Sequence, residues 1–418
     1  LALWVVGGLV AVCGALTQAE LSAALPRSGG DYVYLHEAYG PLAAFLTGWV
    51  SFLIGFAGPI AALADASATY LLVPLHLDGS IVLLATRGLA TLAILTLAGV
   101  HISGRHWSIR VQGWTTVVKI VLLVLFVVAG FAAGWPHRGH LDDRPTLNYR
   151  VGREMIFALV YIFYAYTGWN AASYLAGEVA DPQHRLPWAI LLGTAAVVAL
   201  YLGLNAVYAF ALSADDIRAL VNDPAHPGGL NAVKPIAKLA AERLFGPRVA
   251  DPFSVAIGLF LLSSLSAYIL TGPRVICAMA HAGQFPASAG RLTARAQTPA
   301  IATALQSGWA LILLWTGSFE SIVLYASVGL AIFSMLTISS VYVLRVRRPD
   351  LPRPFRTPGY PFVPAVFLLM NSALSITVFV QRPEESGLSL LSILAGVPFY
   401  FLWKRGKPRG AAAAMTDK

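Results

Sequence analysis

The sequence predicts an all-α integral membrane protein, and three observations carry that prediction. Hydrophobic residues make up 57% of the chain and charged residues only 12%, where soluble domains sit near about 45–50% and about 25%. The apolar residues gather into runs, and a hydrocarbon slab of about 30 Å takes about 20 helical residues to cross. The charges lie mostly between these runs rather than inside them. At 418 residues the chain is long enough for roughly ten spans plus their loops. The net charge of +9 gathers on no basic helix or aromatic-basic platform. It therefore reads as a topology signal, and no nucleic-acid partner is expected.

Hydropathy and helix breakers divide the chain into eleven spans: 1–24, 39–70, 80–100, 111–134, 154–177, 187–212, 252–279, 300–317, 320–344, 361–380 and 387–403. The second is long for the slab and is expected to tilt or project beyond it. Small residues, as in "GFAGPIAALADASA", supply close packing faces between helices. The longest loop, 213–250, holds an amphipathic segment, "VKPIAKLAAERLF", between Pro and Gly turns, and reads as a lid. No soluble domain is visible.

Basic residues set the orientation. Arg27, Arg105, Arg110, Arg185, Arg274, Arg291 and Arg295 fall on one side of the alternation, with the cluster "RVRRPDLPRPFR" and the tail 405–418. That side is expected to be the cytoplasm, in a multi-pass protein of the plasma membrane. The chain opens inside a span, without an initiator Met or a charged n-region, so its first segment is not a signal peptide. Eleven spans with a cytoplasmic C-terminus put Leu1 outside, and one further span upstream is expected. Cys13 and Cys277 lie in apolar helical context and read as small buried hydrophobes, with no disulfide or metal framework implied.

The fifth span is the first candidate site. In "YIFYAYTGWNAASYLAGEVADPQHRLP" the pair Gly168–Trp169 falls near the bilayer midplane, where an aromatic-belt role does not explain the indole. Thr167–Gly168 lowers helix propensity, and a break at this depth frees backbone groups that must face protein or a wet cavity. Such a break offers N–H groups to a carboxylate and carbonyls to an ammonium, the makings of a zwitterion site. A continuous helix packed through glycine fits the same residues.

Lys119 is the second candidate. It lies some ten residues into the fourth span, roughly 15 Å from the span's end, too deep to snorkel easily. Intramembrane lysines are costly and usually functional. The seventh span carries a polar run, "LLSSLSAYILTGPR", with Ser263, Ser264, Ser266 and Tyr268. Serines in membrane helices more often bond their own i−4 carbonyl, so this run is the weaker signal. Among the acids, Asp65 is expected in an outer vestibule, and Glu178 is expected to pair with a basic residue such as Arg185. Arg87 is placed to snorkel from an outer end. The histidines are mainly in loops and form no metal-binding motif.

Several of these stretches together resemble a known family. "FYAYTGWNAASYLAGEVADPQHRLPWAI" closely resembles the sixth helix of the amino acid–polyamine–organocation (APC) transporters. "CGALTQAELSAALPRSGGDYVYLHEAYGPLAAFLTGW", "VQGWTTVVKIVLLVLFVVAG", "SLSAYILTGPRVICAMAHAGQFP" and "RRPDLPRPFRTPGYPFVP" look like further helix signatures of the same superfamily. The resemblance runs from Leu1 to about residue 404 and implies a leucine-transporter-like bundle. That bundle has two inverted repeats of five helices followed by two extra helices. Residues 1–134 would be the remainder of the first repeat, 154–344 the second, 361–403 the accessory pair and 405–418 a tail. The family's first helix would precede Leu1.

By the same resemblance, Tyr164 matches an aromatic that closes over the substrate, with Ala165 and Tyr166 beside it at the break. Thr167 and Gly168 match unwound backbone whose carbonyls face the substrate ammonium, and Trp169 and Asn170 match residues beside the substrate side chain. Many relatives carry Phe and Gly where this chain has Tyr164 and Thr167. Lys119 matches a lysine standing in for sodium, which implies sodium independence. Tyr268 matches a pocket-lining position, Ser266 lies in the same polar run, and Glu20 in "AEL" implies packing or gating.

The function expected is secondary active transport of amino acids by alternating access. Permease, exchanger and proton symporter are all compatible with Lys119. A neutral substrate is expected because no acid flanks "AYTGWN"; a cationic amino acid or polyamine is the alternative substrate. The competing class is a non-transporting amino-acid sensor or membrane subunit. No nucleophile–base pair or filter-like repeat supports an enzyme or a channel, and no catalytic residue, metal or cofactor is called for.

Overall fold

In a computed structural model, the described residues are 1–27, 29–75, 77, 79–134, 149–174, 176–213, 215–216, 236–295 and 297–405. Among them the chain is helical, without a strand. In order the helices are α1 (Ala2–Ala24), α2 (Asp31–Tyr39), α3 (Pro41–Val50), α4 (Ala57–Leu72), α5 (Gly79–Ser103), α6 (Arg105–Gly134) and α7 (Tyr149–Ala165). There follow the short α8 (Ala171–Tyr174), α9 (Pro182–Ala211), α10 (Ile236–Phe245), α11 (Pro247–His281) and α12 (Ala300–Thr316). The last three are α13 (Phe319–Arg347), α14 (Phe362–Gln381) and α15 (Pro383–Arg405).

Nine helices among the described residues are long and apolar enough to cross a membrane. The two expected spans outside that set are α12 and α7, each of 17 residues, about 26 Å long at 1.5 Å per residue. α7 is short because its helix stops at the anticipated break. α12 ends under Arg87 of α5, whose guanidinium donates to the Gly317 carbonyl at 2.8 Å and to that of Leu314. Arg87 therefore does not snorkel: it satisfies the carbonyls a helix end leaves unpaired. It also lies 3.7 Å from Asp65, which is buried beneath it rather than open to a vestibule. The Glu178 side chain, and with it the expected pairing to Arg185, lies outside the described residues.

The long second span is an apolar stretch of 35 residues, Pro41–Leu75. Its middle is a π-helical turn, Ser51–Phe56, joining α3 to α4. The indole of Trp309 donates to the Leu53 carbonyl inside this turn at 2.9 Å, so the widened turn has an outside partner. In the expected lid, α10 is seen over Ile236–Phe245, with Ala237, Ala240 and Ala241 buried against α9 and α11. Residues 217–235 lie outside the described part.

Two packing groups organise the bundle. α1 lies along α9 and α14 and touches α7. At Gly14 an added Cβ would stand 2.7 Å from the Phe367 ring, so α1 and α14 approach through a missing side chain. The other group is built on α3–α4, with α11, α12, α13 and α15 against it, and α2 lies on α3 and α13. Trp49 and Phe399 stack there with centroids 4.9 Å apart, beside Phe45 and Trp403.

Glu20 ties the groups together at the arginine-rich end. Its carboxylate accepts from Arg345 Nε at 2.9 Å and Nη2 at 2.7 Å, and from the Thr357 amide at 2.7 Å. Arg353 stands 3.5 Å away, and Arg345 lies over the Tyr360 ring. Charge-assisted, bidentate contacts of this kind are the strong ones.

Candidate functional site

The helix break is real and sharply bounded. α7 closes with the Tyr166 and Thr167 amides donating to the carbonyls of Ile162 and Tyr164, and α8 begins where the Ala171 amide donates to Gly168 O at 3.0 Å. Between them Gly168 takes φ +98°, a conformation that L side chains rarely adopt, so the residue without a Cβ turns the chain here. Among the described residues the amides of Gly168, Trp169 and Asn170 make no hydrogen bond within the chain, and neither do the carbonyls of Tyr166 and Thr167. Other freed groups have partners: Tyr201 Oη donates to Ala165 O at 3.0 Å, and Thr167 Oγ1 to Tyr164 O at 2.6 Å.

These residues border a cavity of about 500 Å³, a size suited to a small molecule. Ala165, Tyr166, Thr167, Gly168, Trp169 and Asn170 form one wall. The π-helical turn contributes Ser51, Gly55 and Phe56, and α9 contributes Thr194 and Tyr201. Lys119 and Tyr268 face the break across the same space. Lys119 Nζ donates to Ser264 Oγ at 3.0 Å, linking α6 to α11, with no carboxylate at ion-pair distance among the described residues. Among the described residues no Asp or Glu lines the cavity.

Helical spacing sorts the polar run of α11. Ser264, Ala267, Tyr268 and Thr271 follow i, i+3, i+4, i+7 and line the cavity. Ser263 and Ser266 fall on another face: Ser263 Oγ donates to Thr115 Oγ1 at 2.9 Å, and Ser266 Oγ lies 2.9 Å from His101 Nε2. Ser264, rather than Ser266, is thus the serine beside Lys119. Tyr164 is also displaced from the main cavity. It lines a smaller one of about 60 Å³, behind the break between α1, α13 and α14, which shares Tyr166, Thr167 and Trp169 with the first. Glu20 sits at neither cavity but in the clamp described above.

Asn170 is turned differently from its expected place beside a substrate side chain. Its amide donates to Asp31 Oδ2 at 2.7 Å, and Tyr174 Oη donates to the same oxygen at 3.0 Å. Asp31 lies in "SGGDY", a turn-like stretch where a carboxylate ordinarily reads as solvated, so residue patterns hid it. Gln112 and Thr116 were legible in principle, since with Lys119 they form a polar stripe at i, i+4, i+7 along α6. The π-helical turn carries no comparable signal in "SFLIGF".

The arrangement holds free backbone dipoles, one ammonium and several hydroxyls around a half-open cavity within the helical bundle. It can bind a small zwitterion without covalent chemistry. The comparisons agree. The amino acid permease family profile matches residues 1–399. The chain is 30% identical over 417 residues to the Asc-type amino acid transporter 1 of Mus musculus, covering 97% of this chain and 75% of that protein. It is 29% identical over 412 residues to the large neutral amino acids transporter small subunit 2 of Homo sapiens (96% and 73%). It is 28% identical over 421 residues to the cystine/glutamate transporter of the same species (98% and 79%). A broken helix at a cavity, a bundle of helices long and apolar enough to cross a membrane, and a match along nearly the whole chain lead to one conclusion: this protein is a membrane transporter of the amino acid permease family.

Proposed function

We propose that the protein exchanges neutral amino acids across the plasma membrane, without sodium, by alternating access, with its C-terminus in the cytoplasm. The observation that carries this reading is the break at Tyr166–Asn170, whose unpaired amides and carbonyls border a cavity with no acidic residue among its described lining. The backbone groups would receive the substrate's carboxylate and ammonium, with Trp169, Tyr268 and Thr194 around its side chain. Tyr164, in the adjoining small cavity, would move against the substrate on occlusion. Lys119, bonded to Ser264, supplies a fixed positive charge between α6 and α11, where a sodium ion would otherwise have to be held. The Glu20 clamp would hold the arginine-rich end closed.

Substrate class is supported from two directions. A second positive charge, as on a cationic amino acid or polyamine, would meet Lys119 and find no carboxylate among the described residues lining the cavity. Relatives named for large neutral amino acids point the same way. The test is counterflow in proteoliposomes loaded with unlabelled L-alanine or L-leucine. Accumulation of the labelled amino acid is expected. Saturable binding without exchange would make the protein a sensor instead.

A further inference from the structure

Asp31 stands where the two packing groups meet. It opens α2, which rests on α3 and α13, while one of its hydrogen-bond donors comes from α1 of the other group and two come from the break and α8, which touches both α9 and α11. Gln18 of α1 donates Nε2 to Oδ1 at 3.0 Å, and Asn170, at the end of the break, and Tyr174 of α8 donate to Oδ2. The residue is 6% exposed and has no ion-pair partner among the described residues. Among the described residues Gln18 Oε1, beside it, is buried without a partner, while Nε2 of the same amide serves both Asp31 and Ser173 Oγ at 3.2 Å.

These two observations complete each other. With a carboxylate, the Gln18 amide must present N–H to Asp31 and strand its own oxygen. With a proton on Oδ1, a half-turn of that amide presents Oε1 to the new O–H and pairs the stranded acceptor. The ionised and protonated carboxyls therefore favour opposite orientations of the Gln18 amide: the first keeps its N–H bonds to Asp31 and Ser173 Oγ, and the second gives these up to pair Oε1 with the carboxyl O–H. We propose that Asp31 is a proton-binding site whose occupancy controls how firmly the segment beyond the helix break is held to α2.

The surrounding charges leave this role to Asp31. The titratable groups facing it are Tyr34 on α2 and Tyr174 on α8. Glu20 on α1 is held by Arg345 of α13. Arg348, just past α13, and Arg27 pair with Glu37 at the far end of α2, and Arg347 of α13 donates to the Ala38 carbonyl. Burial pushes the Asp31 carboxyl above its ordinary range, and the donors from Gln18, Asn170 and Tyr174 offset this only in part. The docked arrangement thus binds the proton more tightly than one in which water reaches the carboxyl. Acid favours docking, and as the pH rises through the raised value the carboxylate forms and release is favoured.

The effect on transport rests on the exchange proposed above, whereas the protonation does not. The experiment therefore has two readouts on the reconstituted full chain. In infrared difference spectra the wild type is expected to show a protonated-carboxyl C=O band that titrates with pH and is missing in Asp31→Asn. Labelled L-alanine counterflow is expected to change about threefold or more between about pH 5.5 and about pH 8.5 in the wild type. Asp31→Asn, which offers an acceptor and a donor as the neutral carboxyl does, should be flat over that range and resemble the acid limit. Asp31→Glu keeps a carboxyl and should retain the dependence with a shifted midpoint, which serves if Asp31→Asn fails to fold. No titrating band in the wild type, the same band in Asp31→Asn, or a wild-type pH profile in Asp31→Asn overturns the proposal. A titrating Asp31 band with no counterflow in any protein supports the proton site and removes the transport reading alone.

Discussion

At the scale of single residues, Lys119 and Glu20 invite opposite expectations although both are ionised groups within helices. Lys119 has a hydroxyl partner and borders the cavity, which places it beside the proposed substrate site. Lys119→Ala is expected to abolish exchange while leaving folding and expression intact, since it removes no buried charge partner. Wild-type counterflow by this variant would remove the lysine from the mechanism. Glu20 is 1% exposed and shared by two arginines and an amide, so its loss strands buried donors. Glu20→Leu should destabilise the protein by on the order of 3 kcal/mol, read as an earlier thermal transition in detergent. Glu37 is the acid-sensitive staple of the same end: burial opposes its ionisation, but Arg27 and Arg348 hold its carboxyl below the usual range. Its contribution is present above the ordinary glutamate value and lost as pH falls through the lowered one.

At the scale of elements, the break is the feature sequence reasoning placed best. Weak helix formers at mid-span, "TGWN", marked the turn that the structure puts at Tyr166–Asn170, because backbone conformation there follows from local residue type. Gly168→Ala should force a Cβ into φ +98°, costing about 1–2 kcal/mol, and slow exchange roughly tenfold with expression retained. Unchanged kinetics would show that the turn tolerates a side chain and is not a tuned hinge. What residue patterns missed are pairings between distant elements. Ser264 and Ser266 are two positions apart and look alike in sequence, yet one meets Lys119 and the other His101. Asp31 looked solvated because nothing nearby in sequence buries it; its donors arrive from Gln18, Asn170 and Tyr174. Arg87 and Asp65 were misplaced for the same reason, since the end of α12 holds Arg87 and Asp65 is buried beside it.

At the scale of the whole molecule, the bundle has two packing groups joined at one end by Glu20 and Asp31 and parted along the cavity by the broken helix. That division is what alternating access requires: a site fixed at the break and contacts near one end that can be made and released. The membrane class and the helical architecture were legible from composition and hydropathy, because burial in lipid constrains every span. The cavity itself was only half legible, since its walls come from the π-helical turn, α6, the two halves of the broken helix, α9, α11 and α13. With Lys119 supplying the fixed charge, uptake should be equal in sodium and potassium media. A steep sodium dependence would contradict that assignment.

The central claim is that amino acids cross the membrane through the cavity at the break. It is tested most directly by counterflow of labelled L-leucine into proteoliposomes preloaded with unlabelled L-leucine, comparing the wild type with Lys119→Ala. Transient accumulation in the wild type and none in the variant is the result predicted. Saturable leucine binding by the wild type with no accumulation in either would contradict it.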